Sequence, residues 1–386
     1  MKTISLHEPQ LNKSEIRNLQ ACIKSGWISS SGKFLNEFEQ KIKKFTRSKA
    51  ITLTNSGTSA LHIALKASGL EKNEEVLVPT ITFIATINAI IYNKAAPVFL
   101  DVGNDLNISL NKTLSFLENE TYKKNGFTFN KRSKKKIRAL IIVHVFGNAV
   151  DLKKLQKVCK ERNIKIIEDA AESLGTYYKK NYLGGKHTGT IGDVGCISFN
   201  GNKIISAGGG GAIISNSSSL IKNAKYLSNQ AKDNKVFFIH NEIGYNYGLS
   251  NIHAAIGCAQ FNKLKSHLLK KKKIHMIYEK LLKKFRSKIT LIKPNFFCTS
   301  NYWLNVIKIK NFNKIKKKKL ISKLQQKKIT LRPIWLPNHR QKQFKKYQKY
   351  QISYADIAVN THLCLPSSPG LKRSDQEKII KLIINS

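Results

Sequence analysis

Asp169 and Lys203 are of the two residue types that could share one chemistry if the fold brings them together. A short apolar run, Ile164 to Ile167, ends on the acidic pair Glu168 and Asp169. A buried strand delivers a carboxylate in this way to the carboxyl edge of a parallel sheet, where open α/β sheets bind ligands. A second run, Cys196 to Phe199, hands over to Asn200-Gly201-Asn202-Lys203. Gly208 to Gly211 then allow a sharp turn and a close backbone approach. An Asp and a Lys brought from separate strands into one pocket suit pyridoxal 5′-phosphate. The Lys would carry it as a Schiff base, and the Asp would face the pyridine nitrogen so that the ring stays protonated as an electron sink. Neither residue is diagnostic alone. Lysine is the commonest residue type here, and strands ending in Asp occur in α/β proteins of every activity.

The wider string is more specific. Glu168-Asp169-Ala170-Ala171, Gly192-Asp193-Val194-Gly195, Ser198-Phe199 followed by Lys203, and the Gly208 to Gly211 cluster stand in order between Ile166 and Asn216. Together they resemble the signature of the DegT/DnrJ/EryC1/StrS family of sugar aminotransferases, and the resemblance extends from Ser5 to Lys381. It implies the aspartate-aminotransferase-like fold (pyridoxal-phosphate fold type I), an α/β architecture. In that fold a mainly parallel sheet is flanked by helices and followed by a smaller C-terminal α+β domain. Residues 1–250 are expected to form the large cofactor-binding domain and residues 251–386 the small one.

Local patterns name the elements that must position these groups. Ser14 to Ser25 reads as a helix capped by Ser14, and Phe34 to Phe45 as a second. Trp27, in the Gly- and Ser-rich loop between them, lines the sugar pocket by resemblance or packs between the helices. Ile51 to Thr54 reads as a strand running through Asn55-Ser56-Gly57-Thr58-Ser59 into a helix from Ala60. A strand, a Gly turn and a helix N-terminus make an anion site. The resemblance assigns the cofactor phosphate to Gly57, Thr58 and Ser59. Phe83, after the strand Val76 to Val78, holds the position from which the family lays an aromatic ring against the pyridine. The polar, basic stretch Thr113 to Lys136 is expected to form a helix with a surface loop. Ala139 to Val143 is a strand leading to His144, which either faces the site or is a buried structural histidine. Strands alternating with helices at this spacing predict a mainly parallel sheet covered on both faces.

The resemblance implies further roles. Glu172 would contact the ring hydroxyl or the sugar, and Ser198 the cofactor. Asn246 would reach the cofactor phosphate of a partner subunit, which implies a two-fold homodimer with shared active sites. Gly248 stands where the family commonly has Arg, so Arg332 is the candidate to replace that bidentate grip. Leu331 to His339 and Leu365 to Ser368 resemble the branch that makes 4-amino sugars, which puts His339 near the nucleotide sugar. The implied reaction converts a nucleotide-linked 4-keto-6-deoxy sugar to its 4-amino sugar, with glutamate as donor, for surface-polysaccharide or nonulosonate biosynthesis. A UDP-linked 2-acetamido sugar is placed ahead of a GDP-perosamine-type substrate.

The net charge of +45 raises a different reading, a non-catalytic polyanion-binding protein on the same scaffold. The charge is nearly all lysine and spread along the chain. Its runs, such as Lys270 to Lys273 and Lys316 to Lys319, lack the interleaved aromatics of a base-stacking platform. No specific nucleic-acid partner is expected. The six cysteines show no C-x-x-C pairing, which argues against a zinc site or disulfide framework and for a cytoplasmic setting. The N-terminal segment MKTISLHEPQ lacks the apolar core of a signal peptide. Val76 to Tyr92 falls short of the ~20 apolar residues a membrane span needs.

Overall fold

The structure, a computed structural model, describes residues 3–234 and 236–385. Its centre is an eight-stranded sheet. The strand order is Ala50–Thr54, Gly211–Ser215, Val194–Ser198, Lys165–Asp169, Ile137–Val143, Glu75–Pro79, Ala96–Leu100 and Lys349–Tyr350. Gly211–Ser215 alone runs against its neighbours in this sheet; the other pairings are parallel. The strands are short and apolar because both faces are covered. Alternation shows this directly. Ala139, Ile141 and Val143 join one core cluster, whereas Leu140 and Ile142 of the same strand join the other. Each fully buried side chain of this kind contributes about 1.5–3 kcal/mol by leaving water.

A four-stranded antiparallel sheet lies beyond, with order Ile289–Leu291, Asn305–Ile309, His362–Leu365 and Arg332–Pro333. Helices Leu264–Leu282, Lys314–Gln326 and Arg373–Ile384 bury Tyr278, Leu324 and Ile379 against it. The two sheets are tied together. Lys349–Tyr350 returns from the later part of the chain to extend the large sheet beside Ala96–Leu100. There Asp101, fully buried, accepts the ammonium of Lys112 at 2.5 Å and the backbone N–H groups of Ser353, Tyr354 and Ala355. Burial alone would push its carboxyl up, but the Lys112 bond and those N–H groups outweigh it and hold it at about 2.

Local chemistry moves several boundaries from their expected places. The first helix spans Lys13–Lys24, and its cap is Asn12 rather than Ser14. Asn12 accepts from Ser14 N at 2.9 Å while Glu15 accepts from Asn12 N at 2.7 Å, a reciprocal box that Ser14 cannot form with Arg17. The helix after the first strand begins at Gly57, earlier than expected, because Ser56 caps it by accepting from Ser59 N. The helix expected within Thr113 to Lys136 is present at its start, but a hairpin stands where a surface loop was expected. The helix is Leu110–Asn119, and the hairpin pairs Thr121–Lys124 with Phe127–Asn130. Asn125-Gly126 make its turn with φ of 50° and 76°, the double positive φ that Asn-Gly favours in a two-residue hairpin loop. All six cysteines are free and buried. Among the described residues no helix is long and apolar enough to cross a membrane.

Candidate active site

Backbone alternation parts the acidic pair that ends the strand Lys165–Asp169. Successive side chains of a strand point to opposite faces, so Glu168 and Asp169 cannot serve one pocket. Glu168 is fully buried. It accepts N–H groups from Gly189 at 2.8 Å, Ile191 at 2.7 Å and Gly192 at 2.6 Å. His144 adds a fourth bond from Nε2 at 2.8 Å. Burial alone would raise the Glu168 carboxyl, but the His144 bond and the backbone donors outweigh it and hold it below the ordinary carboxylate value. His144 accepts Val150 N at Nδ1, 3.2 Å, which leaves Nε2 as the donor to Glu168. Both ring nitrogens are engaged inside the protein, so His144 is the structural histidine of its two readings.

Asp169 faces the other way. Its Oδ2 accepts the Thr86 hydroxyl at 2.7 Å, and Oδ1 accepts Ala171 N at 3.2 Å. Thr86 is itself 2.7 Å from the Thr82 hydroxyl. Both donors to Asp169 are neutral groups. Burial raises its carboxyl, and Thr86 and Ala171 draw it only part of the way back.

Lys203 sits on the turn after Val194–Ser198, with its N–H donated to Asn200 O at 3.0 Å. Its Nζ lies 3.5 Å from Glu172 Oε1 and 4.2 Å from the centre of the Trp303 ring. Glu172 Oε2 accepts Phe146 N at 2.9 Å. Burial pushes the Glu172 carboxyl up to about 7, against the partial pull of Lys203 and Phe146 N–H. Phe146 adopts the left-handed conformation at φ 55°. That costs a non-glycine residue on the order of 1–3 kcal/mol and persists because surroundings fix it. Here its N–H is on Glu172, and its ring lies 4.7 Å from Trp335, nearly parallel.

Asp169, Glu172, Lys203, Ser198, Gly57, Thr58 and Phe83 line one cavity of about 310 Å³. Every parallel strand near it contributes from its carboxyl end, the edge at which open α/β sheets bind ligands. Gly57 and Thr58 are the first residues of the helix Gly57–Ala67 and present its positive end. The approach is close. A Cβ on Gly57 would stand 2.8 Å from Ser198 Cβ, and one on Gly211 would stand 2.5 Å from Ser56 O. Phe83 is 55% exposed at the mouth, 6.4 Å from Trp335.

The remaining sequence candidates lie elsewhere on this chain. Ser59 is not among the lining residues: its N–H serves the Ser56 cap and its hydroxyl donates to Asn55 Oδ1 at 2.6 Å. Asn246 is exposed and bridges Asn229, outside the cavity of its own chain. Trp27 is 60% exposed, and its carbonyl accepts the Asn251 amide at 2.6 Å. Arg332 is exposed on the edge of the small sheet, opposite Cys364. His339 is buried, with Nδ1 at 2.7 Å from the Thr80 hydroxyl. Next to it the Asn338 amide donates to the carbonyls of Thr80 and Thr82, so this turn braces the loop that carries Phe83.

Sequence reasoning passed over Thr86, Asn202, Trp303 and Trp335, which also line the cavity. A signal existed for the tryptophans: the chain has only 3, and two of them are here. Thr86 was readable as the residue one turn into the helix that starts after Phe83.

This donor set fits pyridoxal 5′-phosphate. A helix N-terminus cradled by Gly57 and Gly211 suits the dianionic phosphate. A buried carboxylate with only neutral donors, Asp169, suits a protonated ring nitrogen, whose charge would offset its burial. Phe83 supplies a flat neighbour, and Lys203 an amine facing the same space.

Comparison with known proteins gives the following likenesses. The description of the DegT/DnrJ/EryC1/StrS aminotransferase family matches residues 9–384. GDP-perosamine synthase of Escherichia coli O157:H7 is 33% identical over 96% of this chain and 95% of its own length. UDP-4-amino-4,6-dideoxy-N-acetyl-beta-L-altrosamine transaminase of Campylobacter jejuni subsp. jejuni serotype O:23/36 is 32% identical over 81% of this chain and 74% of its own. Among solved structures, Helicobacter pylori PseC, an aminotransferase involved in pseudoaminic acid biosynthesis, aligns with a TM-score of 0.87 at 24% identity, covering 100% of this chain and 99% of that one. That likeness bears on fold, and it is the fold type I architecture expected from the sequence.

Proposed function

The chain belongs to the DegT/DnrJ/EryC1/StrS aminotransferase family, and from that premise we propose that it aminates C4 of a nucleotide-linked 4-keto-6-deoxy sugar with glutamate as donor. It is a pyridoxal-phosphate-dependent sugar aminotransferase, and the finer assignment concerns the sugar. The first reading is a UDP-linked 2-acetamido sugar, supported by the likeness to the Campylobacter transaminase. The second is a GDP-linked sugar of the perosamine type, supported by a likeness that spans nearly the full length of both chains. Either product would enter surface-polysaccharide or nonulosonate biosynthesis. The polyanion-binding reading is not favoured, because family membership accounts for the whole chain while the lysines are spread over it.

The observation that carries the reading is that Asp169 and Lys203 line one cavity together with the start of the helix at Gly57. Lys203 would hold the cofactor, Asp169 its ring nitrogen, and Gly57, Thr58 and Ser198 its phosphate. Bound there, pyridoxal phosphate supplies an electron sink for the charge left when the donor's α-proton departs. The chain's own residues do the rest. Lys203 Nζ takes that proton and returns one to the sugar carbon in the second half of the cycle, a general base and then a general acid. Glu172 sits within reach of Nζ with a carboxyl raised to about 7, so it can share the amine's proton near neutral pH. The Asp169 carboxylate, fixed by Thr86, favours the charged form of a ring nitrogen. Trp335 and Trp303 line the cavity, and Phe146 stacks against both rings from behind.

A two-fold homodimer with shared sites belongs to the same proposal. Asn246 and Trp27 are exposed and outside their own chain's cavity, where they could serve a partner's. Arg332, exposed on its edge strand shortly before Trp335, is the candidate grip for a substrate carboxylate or phosphate. His339 would act near the sugar by bracing the Phe83 loop.

The test offers purified protein pyridoxal phosphate, glutamate, and UDP- and GDP-linked 4-keto-6-deoxy sugars, with products read by mass spectrometry. Preferred conversion of the UDP-linked 2-acetamido sugar is expected. Conversion of the GDP sugar alone would shift the assignment to the perosamine type. Failure to take up the cofactor would sink the proposal.

A further inference from the structure

Trp303 is held more firmly than core packing requires. Its backbone N–H donates to Asn301 Oδ1 at 2.9 Å, and the Asn301 amide in turn holds the carbonyls of Glu172 at 2.8 Å and Leu174 at 2.9 Å. Its carbonyl accepts the Nζ of Lys271 at 2.6 Å, from a lysine that is fully buried. Its indole N–H donates to Asn202 O at 2.7 Å. Asn202 directly precedes Lys203, so the ring is tied to the backbone from which the reactive side chain springs. The Lys203 amine lies 4.2 Å from the centre of that ring.

We propose that Trp303 is the positioning residue for Lys203: its indole face receives the lysine amine whenever that amine is not bonded to the cofactor, and Lys271 fixes the indole by holding its carbonyl. The inference rests on Lys203 being the cofactor lysine. Each catalytic cycle releases an amine on a flexible four-carbon stem, which must remain close enough to move a proton. A carboxylate such as Glu172 attracts it but can take its proton. An aromatic face attracts the charged amine through the ring quadrupole and has no site for a proton. Lys271 is suited to its part, since burial lowers its amine well below the ordinary value, the direction that disfavours a second positive charge beside Lys203. Because its bond reaches the backbone carbonyl, it acts on the ring's position without occupying the face.

The test reads Lys203 directly in full-length, cofactor-free protein. Brief acetylation with acetic anhydride across a pH series, with the Lys203 peptide quantified by mass spectrometry, gives the pH midpoint of amine reactivity. Glu172, Asp169 and His7 each interact electrostatically with the amine, and all stay in place. Trp303→Leu should lower the midpoint by about one pH unit, because the face no longer favours the charged form. Trp303→Phe should fall between, and Lys271→Met should move it the same way by less. In the holoenzyme Trp303→Leu should lower kcat while leaving KM for the sugar close to wild type. Should the leucine variant not fold, replacing tryptophan by its increasingly fluorinated analogues weakens the quadrupole without altering shape, and the midpoint should fall stepwise. A midpoint indifferent to both leucine and fluorination overturns the proposal. A wild-type protein that takes up no cofactor would instead sink the role of Lys203.

Discussion

Thr86 donates its hydroxyl to Asp169 Oδ2 at 2.7 Å, joining the helix that follows Phe83 to the end of the strand Lys165–Asp169. Burial works against the Asp169 charge, and this bond is the strongest local opposition to it. Thr86→Val keeps the shape and removes the donor. A buried hydrogen bond to a charged group is worth about 1.5–3 kcal/mol. The Asp169 carboxyl should rise further and pyridoxal phosphate affinity should fall by about tenfold or more. Absorbance titration of the apo-protein with cofactor measures this, and an unchanged Kd would mean that Asp169 does not meet the ring nitrogen.

Lys203→Ala should abolish the visible absorption of lysine-bound cofactor and lower transamination by at least about 10²–10⁴-fold, the usual contribution of a positioned acid–base group. Spectra and product formation would be compared at saturating cofactor. Residual activity near wild type would move the covalent role to another lysine.

Glu172 sets a pH dependence. Its ordinary value is 4.5, and burial holds it at about 7 in the folded protein. Between those values the folded state binds more protons than the unfolded chain. The stability associated with this group is therefore complete below 4.5 and is lost as pH rises through about 7. Glu172→Gln carries no such penalty. In cofactor-free protein its stability advantage over wild type should grow from pH 5 to pH 8, by up to about 3 kcal/mol. Denaturant midpoints at a series of pH values give the difference, and a constant gap would contradict it.

Gly57→Ala should clash with Ser198, since its Cβ would come within 2.8 Å of Ser198 Cβ at the end of a buried strand. Overpacking of this kind costs about 1–3 kcal/mol. Both melting temperature and phosphate-dependent cofactor affinity should fall. Adding Ser198→Gly removes the obstructing atom, so the double variant should recover most of the melting temperature. Recovery of stability without recovery of affinity would assign a ligand contact to the Ser198 hydroxyl.

Much of the fold was legible because it rests on short-range signals. The strand that ends at Asp169, the turn that carries Lys203 and the helix that starts by Gly57 each announce themselves within a few residues. Strand alternation along Lys165–Asp169 is by itself enough to separate Glu168 from Asp169. The hairpin after Asn119 carried its signal in Asn125-Gly126, and the lysines around it masked that signal as surface loop. Trp303, Trp335 and Phe146 are another matter. The two tryptophans reach the cavity and Phe146 stacks on them from segments far apart in the chain, through contacts such as Asn338 with Thr80 and Lys271 with Trp303, and no local pattern encodes such a meeting. Lys349–Tyr350 is two residues long, too short for any periodicity to mark it as a strand.

That short strand and the carboxylate of Asp101 bear on how the chain could be divided. A protein expressed only as far as the end of the large sheet's other strands would leave the edge of Ala96–Leu100 open to pairing with a neighbour. It would also leave Asp101 without the N–H groups of Ser353, Tyr354 and Ala355. The later third of the sequence is thus a structural component of the first sheet. Separately produced halves should aggregate, and they should regain solubility only when mixed and refolded together.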